Sequence, residues 1–335
     1  FNSLHFEVTT TSEAGMSGLL SDAVTRVLII VNHVVLSSIV GILGTIANVI
    51  NICVFVKQGL TNSMNASLFA MAVSELCSLV TLLWLNVCIN PYISVVETSF
   101  VFTEILYLTA GWPHGCSARI TSWITVYITA ERCLSITLPL RIKRLVTPRR
   151  SAAILTLIYA VNILTLVPEY STVYYDWKFY PARNKTMVGL AFRGNRPVTD
   201  GLTFAFHAGM SLCAFVCVIV FTSVLVNQLR RTSKWRRKSA PDQQQLGSLS
   251  TRDKKAVSLI ILVALSLIVC YTPTVSLSVM SICLPGFSVV GKEANLFNAA
   301  WSFGFLFHAI NSNVNIILYY KMSSKYREKF NQLFK

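Results

Sequence analysis

Seven apolar runs alternate with polar connections along this chain. A spanning helix needs about 20 mostly apolar residues. The runs are, in order, Val27–Val56, Ala66–Ile89, Thr103–Leu138, Ala152–Val167, Leu202–Leu229, Ala256–Ile282 and Ala294–Tyr320. Two connections are long, Glu169–Asp200 and Arg230–Lys255. Within the second, Arg231–Thr251 is basic and then rich in Gln and Ser, which reads as a flexible loop. Residues 1–25 are polar and rich in Thr and Ser, and predict a short mobile arm. No internal repeat is visible, which counts against transporters built from two related halves. The pattern predicts an all-α integral membrane protein, a seven-transmembrane helix bundle over 26–320 with 230–255 as a loop inside it.

Composition agrees. Of the 335 residues, 53% are hydrophobic and only 13% charged, where soluble domains carry about 25% charged residues. A net charge of +15 first suggests nucleic acid, but its placement argues otherwise. Of the 29 Lys and Arg, 20 fall at Lys57 and within Arg141–Arg150, Arg230–Lys255 and Lys321–Lys335. These segments share one side of the membrane, and the positive-inside rule makes that side cytoplasmic and the N-terminus extracellular. The charge therefore records topology and attraction to anionic membrane lipid, and no nucleic-acid partner is expected. Seven of the nine cysteines lie within or at the edges of apolar runs, with no CxxC or Cys/His spacing. They read as small core residues, and no metal site is expected. Asn184-Lys185-Thr186 is a glycosylation sequon on the outer side, whereas Asn65-Ala66-Ser67 falls inside, where it would be silent. No signal peptide is visible, and the missing initiator Met suggests trimmed ends.

The third run carries Glu131 and Arg132 to its inner end, with Pro139-Leu140 following. Such a pair is costly in lipid unless it sits at the membrane edge, pairs, or lines a wet cavity. Ala-Glu-Arg-Cys with Pro139 seven residues beyond Arg132 resembles the third helix and second cytoplasmic loop of rhodopsin-like G-protein-coupled receptors, where Asp-Arg-Tyr is usual. Four further motifs stand in the matching runs. Gly44-Thr-Ile-Ala-Asn48 resembles the first helix. The stretch from Asn65 to Glu75 resembles the second, with Glu75 where Asp is usual. Cys270-Tyr271-Thr272-Pro273 resembles the sixth-helix kink, with Tyr for Trp. Asn311-Ser-Asn-Val-Asn315-Ile-Ile-Leu-Tyr319 resembles the seventh, with Ile316 for Pro. Ser323, Tyr326, Arg327 and Phe330 keep the spacing of the family's short amphipathic eighth helix, placed at 321–335. The variant motifs look most like divergent invertebrate orphan receptors, neuropeptide or chemosensory.

The resemblance implies a plasma-membrane receptor that binds an extracellular ligand, a peptide or a small anionic or polar cue. It would activate a heterotrimeric G protein by outward movement of helix 6 and catalyse no reaction. Glu131, Arg132, Leu140, Asp253, Tyr271, Pro273, Asn315 and Tyr319 take the switch and G-protein roles. Asp253 lies twenty residues, about 30 Å of helix, before Pro273. Arg132 thus has two candidate partners, its neighbour Glu131 and Asp253, which would latch it or else be an exposed charge worth little. Asn48, Glu75, Thr121, Asn311 and Asn315 form the polar core that in this family holds sodium and water. With Glu75 for Asp, a hydrogen-bonded network without the ion is the other reading. No other cofactor is implied.

The family's bridge cysteines are missing. Tyr107 stands 25 residues before Arg132, and no cysteine occurs between Leu134 and Leu212. Cys88 and Cys283 would form a substitute bridge or stay free. For the ligand, His114 lies about 27 Å outward of Arg132, where amine receptors carry Asp, which argues against an amine. Arg119 is rare near the bilayer middle unless paired or functional. With His207, Tyr271, Trp301 and His308 it predicts a pocket for an anionic or carboxylate-bearing ligand or a polar peptide terminus. The alternative is that Arg119 pairs with Glu75 or bonds internally while the histidines are satisfied core residues. Rival functions are a transporter or channel using Glu75 and Arg119, and a non-signalling scavenger receptor of the same fold.

Overall fold

The computed structural model describes residues 19–94, 97–138, 141, 142, 144, 146–194, 196–238, 251–289 and 291–334, with the backbone alone at 94, 182, 196–200, 232–238 and 251–254. In a bilayer only helices satisfy the backbone of a single crossing segment, and long helices dominate. α1 spans Asp22–Gln58, with a π-helical stretch at Ile30–Ser37, and α2 spans Ser63–Ile89. α3 runs through Phe102–Leu106, a π turn at Tyr107–Gly111 and Trp112–Thr137. α4 (Pro148–Leu164) is extended by a short helix at Val167–Thr172. α5 (Arg196–Lys238), α6 (Thr251–Cys283), α7 (Ala294–Met322) and α8 (Ser324–Asn331) complete the bundle. Five of these are long and apolar enough to cross a membrane on length and composition alone. α3 and α7 are long enough too, but Arg119, Glu131, Arg132 and the asparagines of α7 dilute them.

Local chemistry sets the ends. Asn62 caps α2 by accepting from the Met64 N–H, Thr147 caps α4 from Arg150, and Ser323 caps α8 from Tyr326, each satisfying a donor that a helix start leaves open. Gly59, at φ 84°, closes α1 in a conformation that other residues seldom adopt. On α1, Ile39, Ile42, Leu43 and Ile46 are exposed at helical spacing. So large an outward apolar stripe belongs in lipid rather than water. Facing the bundle axis, Val54, Leu68, Ile124, Ile128, Leu225 and Ile260 pack the half that the charge pattern predicts to be cytoplasmic (the inner half) around Tyr319 and Tyr326.

Two features depart from the sequence reading. The outer connection after α4 folds into a hairpin, β1 (Val173–Tyr180) and β2 (Lys185–Phe192), paired antiparallel from Val173–Phe192 to Tyr180–Lys185. Aromatic residues suit strands, and Asn184, with φ 46°, supplies the turn. The segment from 230 on, read as a loop, continues α5 as helix to Lys238, because its many Arg and Lys residues are good helix formers. The arm read as 1–25 lies outside the described residues up to residue 18. Beyond that point it docks on the start of α7: Asn295 Nδ2 donates to Asp22 Oδ1 at 2.6 Å.

Candidate functional site

At the inner end of the bundle Glu131 is buried and accepts two hydrogen bonds. Arg132 Nη2 reaches its Oε1 at 2.9 Å, and the Ser63 hydroxyl reaches its Oε2 at 3.1 Å. Ser63 and Ser151 hydroxyls lie 2.6 Å apart, and Tyr127 donates to Ser151 at 2.7 Å. Since the Ser63 proton is committed to Glu131, the direction is fixed: Tyr127 donates to Ser151, Ser151 to Ser63, and Ser63 to the carboxylate. Glu131 thus ties α2, α3 and α4, and Arg132 hangs from it with its Nε buried and unpartnered among the described atoms. Leu140 lies outside the described residues. Asp253 sits in the first turn of α6, and its side chain also lies outside them.

A second polar layer crosses the middle. Asn315 Nδ2 donates to Glu75 Oε1 at 2.6 Å, joining α7 to α2. Asn48 Nδ2 donates to the carbonyls of Gly44 and Ser312, and its Oδ1 accepts from Asn51. Asn51 Oδ1 in turn accepts the Tyr326 hydroxyl of α8 at 2.6 Å. Thr121 and Ser74 hydroxyls lie 2.8 Å apart, and Ser266 donates to Asn311 Oδ1 at 3.2 Å. The five predicted core residues are therefore all buried, but only Glu75 and Asn315 bond each other, while Asn48, Thr121 and Asn311 bond elsewhere. A sodium ion would find Glu75 and Asn315 Oδ1, a buried oxygen with no partner among the described atoms. The Asn48, Asn311, Ser74 and Thr121 oxygens already have partners. That donor set is thin for a cation, and no step is routed through one. The Tyr319 hydroxyl lies below this layer, also buried without a described partner.

In the outer half, the predicted ligand residues separate into two groups. His114 of α3 places Nδ1 2.9 Å from the Ser78 carbonyl and Nε2 3.3 Å from His308 Nδ1 of α7. His308 Nε2 lies 3.0 Å from the Thr274 hydroxyl of α6, and its ring stacks on Tyr271 at 4.3 Å. Gly304 makes this approach of α7 to α6 feasible: a Cβ there would lie 2.5 Å from Thr274 Cγ2. Trp301 joins through Phe305, whose ring is 6.1 Å from Trp301 and 5.2 Å from His114. Above it, Phe297 and Phe287 continue the stack at 5.9 and 5.3 Å. Seven rings thus descend from the loop before α7 to Tyr271, two residues from the Pro273 inside α6.

Arg119 and His207 form the other group, against α4. Arg119 is only 4% exposed. Its Nε donates to Asn162 Oδ1 at 2.9 Å, its Nη1 to His207 Nδ1 at 2.6 Å and its Nη2 to the Thr165 hydroxyl at 3.1 Å. Arginine can only donate, so His207 Nδ1 accepts, and its Nε2–H donates to the Thr165 carbonyl at 3.0 Å. The two groups share no hydrogen bond or ring contact among the described residues, and Arg119 does not reach Glu75. The nine cysteines are all free, Cys88 and Cys283 included.

His33 escaped the sequence reading. His33, in the π stretch of α1, lies 3.0 Å from Asn86 Oδ1 and packs its ring 5.4 Å from Phe305. The signal was available, since an ionisable side chain inside an apolar run is a functional candidate by default.

The comparisons match this architecture. The family model described as "Serpentine type 7TM GPCR chemoreceptor Srw" covers residues 35–335. Galanin receptor type 2 of Rattus norvegicus is 25% identical over 308 residues, covering 88% of this chain and 74% of that protein. Galanin receptor 2b of Danio rerio is 22% identical over 305 residues, covering 90% and 74%. Galanin receptor type 2 of Homo sapiens is 25% identical over 307 residues, covering 88% and 70%. The transporter and channel readings give way to this finding. The chain belongs to the serpentine 7TM GPCR chemoreceptor Srw family and is a multi-pass membrane receptor that couples an extracellular ligand to a G protein.

Proposed function

We propose that this receptor takes an extracellular chemical cue at the outer mouth of α3, α6 and α7, and that His114, Tyr271, Trp301 and His308 read it. The observation that carries the proposal is the unbroken stack of seven rings from Phe287 to Tyr271. A ligand that displaces its upper rings repacks the Pro273 kink, and α6 swings outward at its inner end. The Trp301 Nε1 is buried without a described partner, so the favoured cue offers a hydrogen-bond acceptor beside an aromatic or apolar surface. Arg119, each of whose three nitrogens already donates one hydrogen bond inside the bundle, is a weaker anchor for an anion than the sequence suggested. A second reading, in which the cue is a peptide, draws on Trp177 and Phe179, exposed on the hairpin at the same end.

The experiment is a ligand screen, small molecules and peptides in separate arms, read through a promiscuous Gα. With the responding ligand in hand, His308→Phe is expected to lower potency by about tenfold or more, the equivalent of one lost charged or strong hydrogen bond, at unchanged surface expression. Unchanged potency would move the site elsewhere.

The inner groove opened by α6 takes the G protein, with Arg132, Tyr319 and Leu140 as contacts and Asp253 as a second latch for Arg132. The N-terminus and hairpin are extracellular in this reading, at the plasma membrane, and the basic inner end faces anionic lipid. Asn184 is exposed at the hairpin tip, where a glycosyltransferase reaches it. Glycosidase treatment should speed migration of the wild-type chain on a gel and leave Asn184→Gln unchanged. A wild-type chain that does not shift would remove the support this sequon gives to the orientation.

A further inference from the structure

The cross-link that the resemblance implies between the outer end of the third helix and the following loop is missing, yet the hairpin is firmly seated there. Its anchor is a carboxylate. Glu104, in the first turn of α3, is 8% exposed. Its Oε2 accepts the Leu190 backbone N–H of β2 at 2.6 Å, and its Oε1 accepts the Tyr180 hydroxyl of β1 at 3.0 Å. The residues leading into α3 add a short ladder: the Val101 N–H donates to the Val188 carbonyl at 3.0 Å, and the Val188 N–H to the Ser99 carbonyl at 2.7 Å. Farther along, the Tyr175 hydroxyl donates to the Ile105 carbonyl at 2.7 Å and the Tyr170 hydroxyl to the Leu108 carbonyl at 2.5 Å. The Lys178 ammonium donates to the Leu190 carbonyl, so both polar groups around that residue are held.

Hydrogen bonds to an ionised acceptor are roughly twice as strong as neutral ones, and exclusion of water strengthens them further. Burial, and then the Glu104 carboxylate beside it, hold the Tyr180 hydroxyl protonated well above the ordinary phenol range. The donor therefore persists. Space is as closely set as charge: a Cβ on Gly189 would lie 2.5 Å from Glu104 Oε2 and would also collide with the Tyr180 hydroxyl.

We propose that Glu104 is the positioning residue that fixes the extracellular hairpin on the mouth of the bundle, a non-covalent clasp in the place of the family's disulfide. The inference does not depend on the identity of the ligand. The hairpin keeps its seat under reducing conditions and loses it when one carboxylate is removed.

Amide hydrogen exchange of the receptor in lipid nanodiscs tests this, with the peptide 112–128 of α3 as the folding control. The amides of Val188 and Leu190 should exchange slowly in the wild type and no faster in excess dithiothreitol. Glu104→Ala should speed them by about tenfold or more. Glu104→Gln, which keeps one acceptor oxygen, should fall between, and Gly189→Ala should shift them in the same direction. Exchange in Glu104→Ala within threefold of wild type would overturn the proposal, as would loss of protection on adding dithiothreitol alone. Should Glu104→Ala also loosen the control peptide, Tyr180→Phe decides. Faster hairpin exchange over an intact α3 supports the clasp, and unchanged hairpin exchange refutes it.

Discussion

Replacing Arg119 by alanine is expected to destabilise the bundle by about 3 kcal/mol and to remove most of the receptor from the cell surface. The side chain bonds Asn162 and Thr165 of α4 and His207 of α5 from one point on α3. Truncation strands the His207 and Asn162 acceptors, each worth about 1–3 kcal/mol when left buried and unsatisfied. It also leaves a cavity between three helices. Relief of a buried cation with no carboxylate within 4 Å among the described residues offsets part of this. What remains is a large share of the roughly 5–15 kcal/mol that typical domains possess. Arg119→Lys should rescue poorly, because an ammonium cannot span the three directions that the planar guanidinium covers. Surface staining and the thermal midpoint check this. Normal expression with a lost ligand response would instead return Arg119 to the binding site, as the sequence first suggested.

Glu131→Ala is expected to raise ligand-independent G-protein activation about tenfold, which corresponds to a shift of about 1.4 kcal/mol between the resting and active helix arrangements. The carboxylate holds Arg132 by its only described ion pair and also ends the chain of hydroxyls from Tyr127 through Ser151 and Ser63. Without it the guanidinium is free to turn into the inner groove, and α2 and α4 lose a shared partner on α3. If Asp253 is a second latch, Asp253→Ala should add to the effect. Basal nucleotide exchange on a purified Gα measures both.

The spans were legible because oil leaves few choices: twenty apolar residues with polar ends fix a helix and its approximate bounds. The pairing of Glu131 with Arg132 was legible for the same reason, since a lone charge there would be too expensive. The rarity of Arg119 could be read from the sequence, but its direction could not. Whether a residue on α3 faces α7 or α4 depends on how the helices pack, and less than half a turn of rotation separates the two. The π segments at Ile30–Ser37 and Tyr107–Gly111 re-aim His33 and the outer end of α3, and their register is set by packing rather than by composition. The hairpin was hidden for a different reason. β1 carries aromatic residues on both faces and β2 has Gly189 and small or apolar residues in succession, so the period-2 alternation that marks a half-buried strand is blurred. With no cysteine to mark the attachment, nothing local singled out Glu104 as its anchor.

The measurement closest to the central claim is guanine-nucleotide exchange on purified Gα in vesicles carrying wild type, Glu131→Ala, or the double variant Glu131→Ala/Arg132→Ala. The single variant should exceed the wild type about tenfold, and the double variant should return to the level of empty vesicles. If none of the three exceeds empty vesicles with any Gα class, the chain is a binding protein of this fold that does not signal through Arg132.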